Sequence, residues 1–153
     1  MGFALHALIW LLVNRTDYDT VVTTTPPIST GLPGLAASLT GANWVVDVRD
    51  LWIDASLSLG FITEGGLLER ASSRFQEVVL ERADAISVTT DALGESLCAQ
   101  YGEELSEKLV HVPNGVDTDQ FQQSRVPATD PYTIVYTGNI GHAQGLDVCI
   151  EAM

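Results

Sequence analysis

Asn43–Trp52 reads NWVVDVRDLW. The first six residues are rich in valine and nearly free of charge, the pattern of a buried strand over Asn43–Val48. The strand then gives way to Arg49-Asp50 and an indole, Trp52, so it delivers polar groups at its carboxyl end. Taken alone, the Arg-Asp pair fits a capped structural loop as well as it fits a ligand site. The segments on either side decide which architecture the strand belongs to.

Upstream, Asp19–Thr25 (DTVVTTT) is β-branched and stops at Pro26-Pro27, which cannot continue a ladder. Gly31–Gly41 (GLPGLAASLTG) follows as a short helix of small and apolar residues, with Gly41 placed to end it. Downstream of Trp52, a loop leads to the strongest helical pattern, Gly66 to Arg82. There Leu67, Leu68, Ala71, Phe75, Val78 and Val79 recur at spacings of three and four. Ala85–Thr90 (AISVTT) is a third strand, and Asp91 is an N-cap candidate for a helix ending near Tyr101-Gly102. Leu109–Val112 (LVHV) is a fourth strand, closed by Pro113-Asn114-Gly115. Such alternation predicts an α/β fold, a Rossmann-like, mostly parallel sheet with helices on both faces. Ligands of these sheets bind at the carboxyl ends of the strands. That rule singles out Thr23–Pro27, Arg49–Trp52, Thr89–Asp91 and Asn114–Asp117.

Residues 118–131 (TDQFQQSRVPATDP) are polar, hold two prolines and read as a linker. A second unit then opens with a buried strand around Ile134–Tyr136, a turn carrying Gly138, Gly141 and Gly145, and a helix start. That order aims backbone N–H groups at a phosphate. The spacing is neither the G-x-G-x-x-G of a dinucleotide site nor the Gly-Lys of a P-loop. His142 follows the turn, where it would approach a phosphate; His6 reads as packed in an apolar segment and His111 as structural within its strand.

Seven basic residues face twenty acidic ones, for a net charge of −13, and Lys108 is the one lysine. A surface of that sign repels nucleic-acid backbones, so no nucleic-acid partner is expected. Diffuse acidity with almost no lysine points to a surface adapted to high salt. Stability unchanged from low to molar KCl would remove that expectation. The apolar run Phe3–Val13 falls short of the roughly 18 residues of a membrane span and reads as a buried helix. It has neither the basic flank nor the cleavage site of a signal peptide. Cys98 and Cys149 stand far apart in apolar helical contexts and read as buried thiols in a reducing cytoplasm.

The motifs occur in a fixed order: TTTPP (Thr23–Pro27), VRDLW (Val48–Trp52), the long amphipathic helix, ADAISVTT (Ala83–Thr90), VPNGVD (Val112–Asp117) and VYTGNIGHAQGLD (Val135–Asp147). This series resembles glycosyltransferase family 4, in particular the branch acting in capsule, O-antigen and other surface-polysaccharide synthesis. The resemblance runs from about Asp17 to the last residue. It implies the GT-B fold, in which two Rossmann-like domains face each other across a cleft. The N-terminal domain takes the acceptor and the C-terminal domain the nucleotide-sugar donor. Residues 1–117 then correspond to an incomplete N-terminal (acceptor) domain, 118–131 to the linker, and 132–153 to the first strand and helix start of the donor domain.

The resemblance also assigns roles. Asp50 is the candidate catalytic residue, in contact with the transferred sugar or the acceptor hydroxyl. Arg49, Trp52, Asn114, Gly138, Asn139 and Gly141 are candidate substrate-binding residues, with Pro113–Asp117 at the domain junction and the glycines beside the donor diphosphate. Relatives usually follow RDLW with proline, where this chain has Ile53. The implied reaction is retaining transfer of a sugar from a nucleotide-sugar donor to a lipid-linked or glycan acceptor, with no metal or other cofactor. The implied location is cytoplasmic, with peripheral association at the inner membrane surface. The family's glycine-rich loop would precede Met1 and its glutamate pair would follow Met153, so the chain alone is expected to be inactive. Two other readings stay open at this point. One is a non-catalytic acceptor-binding or interaction domain working with a separate chain that carries the donor half. The other is an unrelated nucleotide-binding α/β protein, such as a truncated dehydrogenase.

Overall fold

The structure is a computed structural model and describes residues 2–14, 17–121, 134–141 and 144–153. The chain forms two compact units, Met1–Asn114 and Gly115–Met153. In the first, α1 (Gly2–Val13) precedes β1 (Thr20–Thr25), α2 (Gly31–Thr40), β2 (Asn43–Val48), α3 (Trp52–Ser58) and α4 (Leu67–Arg82). β3 (Ala85–Val88), α5 (Asp91–Tyr101) and β4 (Leu109–His111) complete it.

The four strands form one sheet in the order β1-β2-β3-β4, every pair parallel. The α/β class and the parallel sheet follow the sequence pattern. The distribution of the helices is set by topology: successive neighbours joined by right-handed crossovers place their connecting helices on one side. On that side Trp44, Val46, Val48, Ile86 and Val88 form the main core with Val79, Leu80 and Ala83 of α4 and its end, and with Leu97 and Cys98 of α5. α2 joins them through Gly34, whose missing side chain makes room for the Trp44 indole. On the opposite face Val22 is 63% exposed and Val110 is 50% exposed.

Trp44 is the central anchor. It is fully buried, and its Nε1–H donates to Thr23 Oγ1 on the neighbouring strand at 2.8 Å. Its backbone N–H donates to the Asp84 carboxylate at 2.7 Å, while the Asp84 N–H returns a bond to the Trp44 carbonyl at 2.9 Å. Every buried side-chain polar atom among the described residues has a partner, as a buried polar group requires.

Several local expectations are corrected. Thr90, not Asp91, caps α5: it is extended (φ −143°) and its hydroxyl accepts from the Leu93 N–H at 3.2 Å. Asp91 is the first helical residue, where a carboxylate meets the positive end of the helix dipole. The loop after Arg49-Asp50 contains the short helix α3. α1 is a helix, but it buries only Ala4 and Leu11, which faces Ala36 and Ala37 of α2. His6 is therefore exposed rather than packed, and His111 is exposed at the end of β4. Cys98 is buried, whereas Cys149 is exposed. It lies on α6 (Leu146–Glu151) of the second unit, a helix that buries no residue.

In that second unit Ile134–Thr137 is not a strand, and Ile134 and Val135 are 82% and 75% exposed. A parallel strand takes its ladder from neighbours, and no described residue supplies one here. Most of the expected linker, residues 122–131, lies outside the described residues, as do Tyr132, Thr133 and His142.

Candidate functional site

Parallel register brings three polar residues into a row on the open face of the sheet. Thr24 pairs with Asp47, and Asp47 pairs with Ser87. Side chains alternate along a strand, so Arg49, two residues beyond Asp47, returns to the same side. The Arg49 N–H donates to the Thr25 carbonyl at 3.0 Å, which carries the β1–β2 ladder one step past Val48. The Val112 N–H donates to the Val88 carbonyl at 2.8 Å and extends β4 in the same way. These extensions bring residue 114 to the carboxyl end of the sheet, near residue 49.

The result is a continuous chain of hydrogen bonds. Ser87 Oγ donates to Asp47 Oδ1 at 2.7 Å, and Arg49 Nε donates to Asp47 Oδ2 at 2.7 Å. Arg49 Nη1 then donates to Asn114 Oδ1 at 2.8 Å. The Asp47 side chain is 12% exposed and that of Arg49 is 47% exposed, so a shielded carboxylate holds a guanidinium whose far end meets solvent. Burial alone would raise the Asp47 pKa. The hydrogen bonds from Ser87 and Arg49, the Arg49 charge and a further hydrogen bond from Thr24 outweigh it and hold the group below the usual carboxylate range.

Of the residues singled out from sequence, Arg49 and Asn114 are thus brought together across 65 positions of chain. Asp50 follows as an exposed carboxylate, and Trp52 is half-buried at the start of α3. Asp47 and Ser87 were missed. The signal for Asp47 was its spacing of two from Arg49 inside a valine-rich strand, which puts both on one face. Ser87 offered no comparable signal, because only the β2–β3 register reveals its partner.

In the second unit Gly138, Asn139 and Gly141 are exposed. The Tyr136 hydroxyl donates to the Asn139 carbonyl at 2.9 Å, and a Cβ at Gly138 would lie 2.8 Å from that hydroxyl. A side chain at Gly138 would therefore have to push the exposed tip of Tyr136 aside.

A cavity of about 490 Å³ lies elsewhere, against α5 and β4, lined by Asp91, Glu95, Glu103, His111 and neighbours. His111 Nδ1 lies 3.1 Å from Asp91 Oδ1, and its Nε2 lies 3.2 Å from the Thr89 carbonyl. Three carboxylates give this hollow the wrong sign for a phosphate. Among the described residues no group of three or more His, Cys, Asp or Glu is arranged to hold a metal ion. No described helix is long and apolar enough to cross a membrane.

A parallel sheet with an Arg–Asp–Asn cluster at its strand carboxyl ends defines a Rossmann-like domain, a class of sheet whose ligands bind at that edge. The glycosyl transferase 4-like domain matches residues 2–115, and the chain belongs to that family. It is also 26% identical, over 167 aligned positions, to "Putative colanic acid biosynthesis glycosyl transferase WcaI" of Escherichia coli (strain K12). That alignment covers 99% of this chain and 40% of the relative, so the chain spans about two fifths of the relative's length. No solved structure matches the chain.

Proposed function

We propose that the chain is the acceptor-side part of a retaining glycosyltransferase of surface-polysaccharide synthesis. It would work with a nucleotide-sugar donor and a glycan or lipid-linked acceptor. The observation that carries this reading is the Arg49–Asn114 contact at the strand carboxyl ends, within the segment that matches the family. Asp50, next to it and exposed, is the candidate for contact with the reacting hydroxyl. Gly138, Asn139 and Gly141 are the candidate positions beside the donor diphosphate, at the opening of the donor side in residues 132–153. With a lipid-linked acceptor, the place of work is the inner membrane surface on its cytoplasmic side.

Transfer needs a fixed diphosphate and a supported oxocarbenium-like transition state as well as a positioned hydroxyl. From Gly115 to Met153 the sequence contains one basic residue, Arg125. The chain alone is therefore proposed to bind acceptor without turning over donor. The first unit has a hydrophobic core of its own, which favours a second form of the same reading: an acceptor-binding module whose donor domain comes from a separate chain.

The test is to incubate the purified chain with a panel of nucleotide-sugars and with glycan or lipid-linked acceptors. No nucleoside diphosphate should be released, while an acceptor glycan should raise the melting temperature. Donor turnover would overturn the proposed inactivity. Absence of any acceptor-induced shift would overturn the acceptor assignment.

A further inference from the structure

Arg49 is the basic residue of the candidate site, and a guanidinium at a nucleotide-sugar or lipid-diphosphate site is ordinarily taken for a phosphate ligand. Its partners point elsewhere. A phosphate clamp offers a free, planar fork of N–H groups and a charge not already satisfied. Here Nε, one arm of that fork, is given to Asp47 at 2.7 Å, and the same carboxylate balances the charge. Asp47 is in turn fixed by Ser87 at 2.7 Å, so the guanidinium has one orientation set from beneath.

What remains is a set of donors without net charge. A guanidinium has five N–H groups. Two serve Asp47 and Asn114, and no described residue partners the others. The Asn114 amide oxygen accepts from Arg49, which leaves its NH₂ to donate. Several fixed donors on a neutral, half-exposed cluster suit ligand oxygens that carry no charge.

Resting on the acceptor-side reading above, we propose that Asp47 is a positioning and specificity-determining residue. By fixing Arg49 Nε and balancing its charge, it makes the Arg49–Asn114 pair a donor site for the hydroxyls of a neutral sugar instead of a phosphate clamp. Asp47 acts through Arg49 and does not itself touch the ligand.

The experiment follows the Arg49 Nε–Hε signal by NMR in the complete 153-residue chain, assigned by its loss in Arg49→Lys. Neutral monosaccharides (glucose, galactose, fucose) should move this signal, and inorganic pyrophosphate should leave it in place. Asp47→Asn, which removes the balancing charge, should strengthen pyrophosphate binding at Arg49 by at least about tenfold. Ser87→Ala, which keeps the carboxylate, should give no such gain. A merely structural Asp47 would weaken both kinds of ligand together, so a gain for pyrophosphate separates the two roles. Pyrophosphate moving the Arg49 signal of the unaltered chain overturns the proposal, and that arm decides even where Asp47→Asn fails to fold. A folded Asp47→Asn chain without the gain overturns it too. Sugars or acceptor glycans that move other signals but not that of Arg49 also overturn it, while leaving the acceptor-side reading intact.

Discussion

The two faces of the sheet are built from the same strands and differ in every second residue. On the covered face Trp44, Val46, Val48 and Ile86 are at most 1% exposed, pressed against α2, α4 and α5. On the open face the row Thr24, Asp47, Ser87 continues to Val110, which, like Val22, meets solvent. Consecutive order of parallel strands, whose crossovers are right-handed as a rule, accounts for this division. The first face buries apolar area and supplies stability; the second is free to carry polar groups to the strand ends. Fold and chemistry thus share a backbone but few side chains.

The largest effect should come from the covered face, at Gly34. A Cβ at this position would lie 2.0–2.2 Å from atoms of the Trp44 indole, and the ring cannot retreat without giving up its bond to Thr23. Gly34→Ala should therefore destabilise the first unit by about 2–4 kcal/mol in a urea melt, despite alanine's better helix propensity. In the Trp44→Leu background the same change should cost much less, because the two sites are coupled through contact. A loss below about 0.5 kcal/mol in the unaltered background would mean that the helix–sheet contact is looser than described.

The covered face was the legible one. Its strands and helices follow from valine-rich runs, from the three-four spacing of α4 and from Gly41, which ends α2 in the left-handed conformation (φ 87°). Arg49 and Asn114 were legible as candidate site residues, because strand ends carry ligands and the motif order resembles a known family; that they meet across the sheet end was not. Asp47 and Ser87 were not, since strand-to-strand register is a tertiary property that no local pattern encodes. The second unit misled for the opposite reason. Ile134–Tyr136 has the composition of a buried strand, yet burial requires neighbours, and the described part of the unit provides none. α1 shows the same limit: an all-apolar helix says that it can be buried, not on how many sides.

An intermediate effect belongs to the polar row. The Asp47 pKa is lowered in the folded chain, so the folded state favours the carboxylate more than the unfolded state does. Its stabilisation is present above the ordinary carboxylate range and is lost as pH falls through the folded value. Asp47→Asn should cost about 1–2 kcal/mol at neutral pH and should flatten the acid side of the stability curve. Thermal melts between neutral and acid pH on both chains measure this. An unchanged acid slope would show that the hydrogen-bonded row does not stabilise the sheet, whatever it does for ligands.

The smallest effect, expected at Val22, tests the contrast itself. Val22 and Val46 lie on adjacent strands of one sheet, but Val22 is 63% exposed and Val46 is 1% exposed. Valine to threonine keeps the shape and β-branching and replaces one methyl with a hydroxyl, so the substitution asks whether a polar group is tolerated there. Val46→Thr must bury that hydroxyl in an apolar cluster and should cost about 1–3 kcal/mol. Val22→Thr meets water and should fall within about 0.5 kcal/mol of zero. Equal costs at the two positions would mean that the open face is covered in solution. Sedimentation at the melting concentration would then show whether a second copy of the chain covers it. Unequal costs would confirm that one face carries the fold's stability and leaves the other available for ligands.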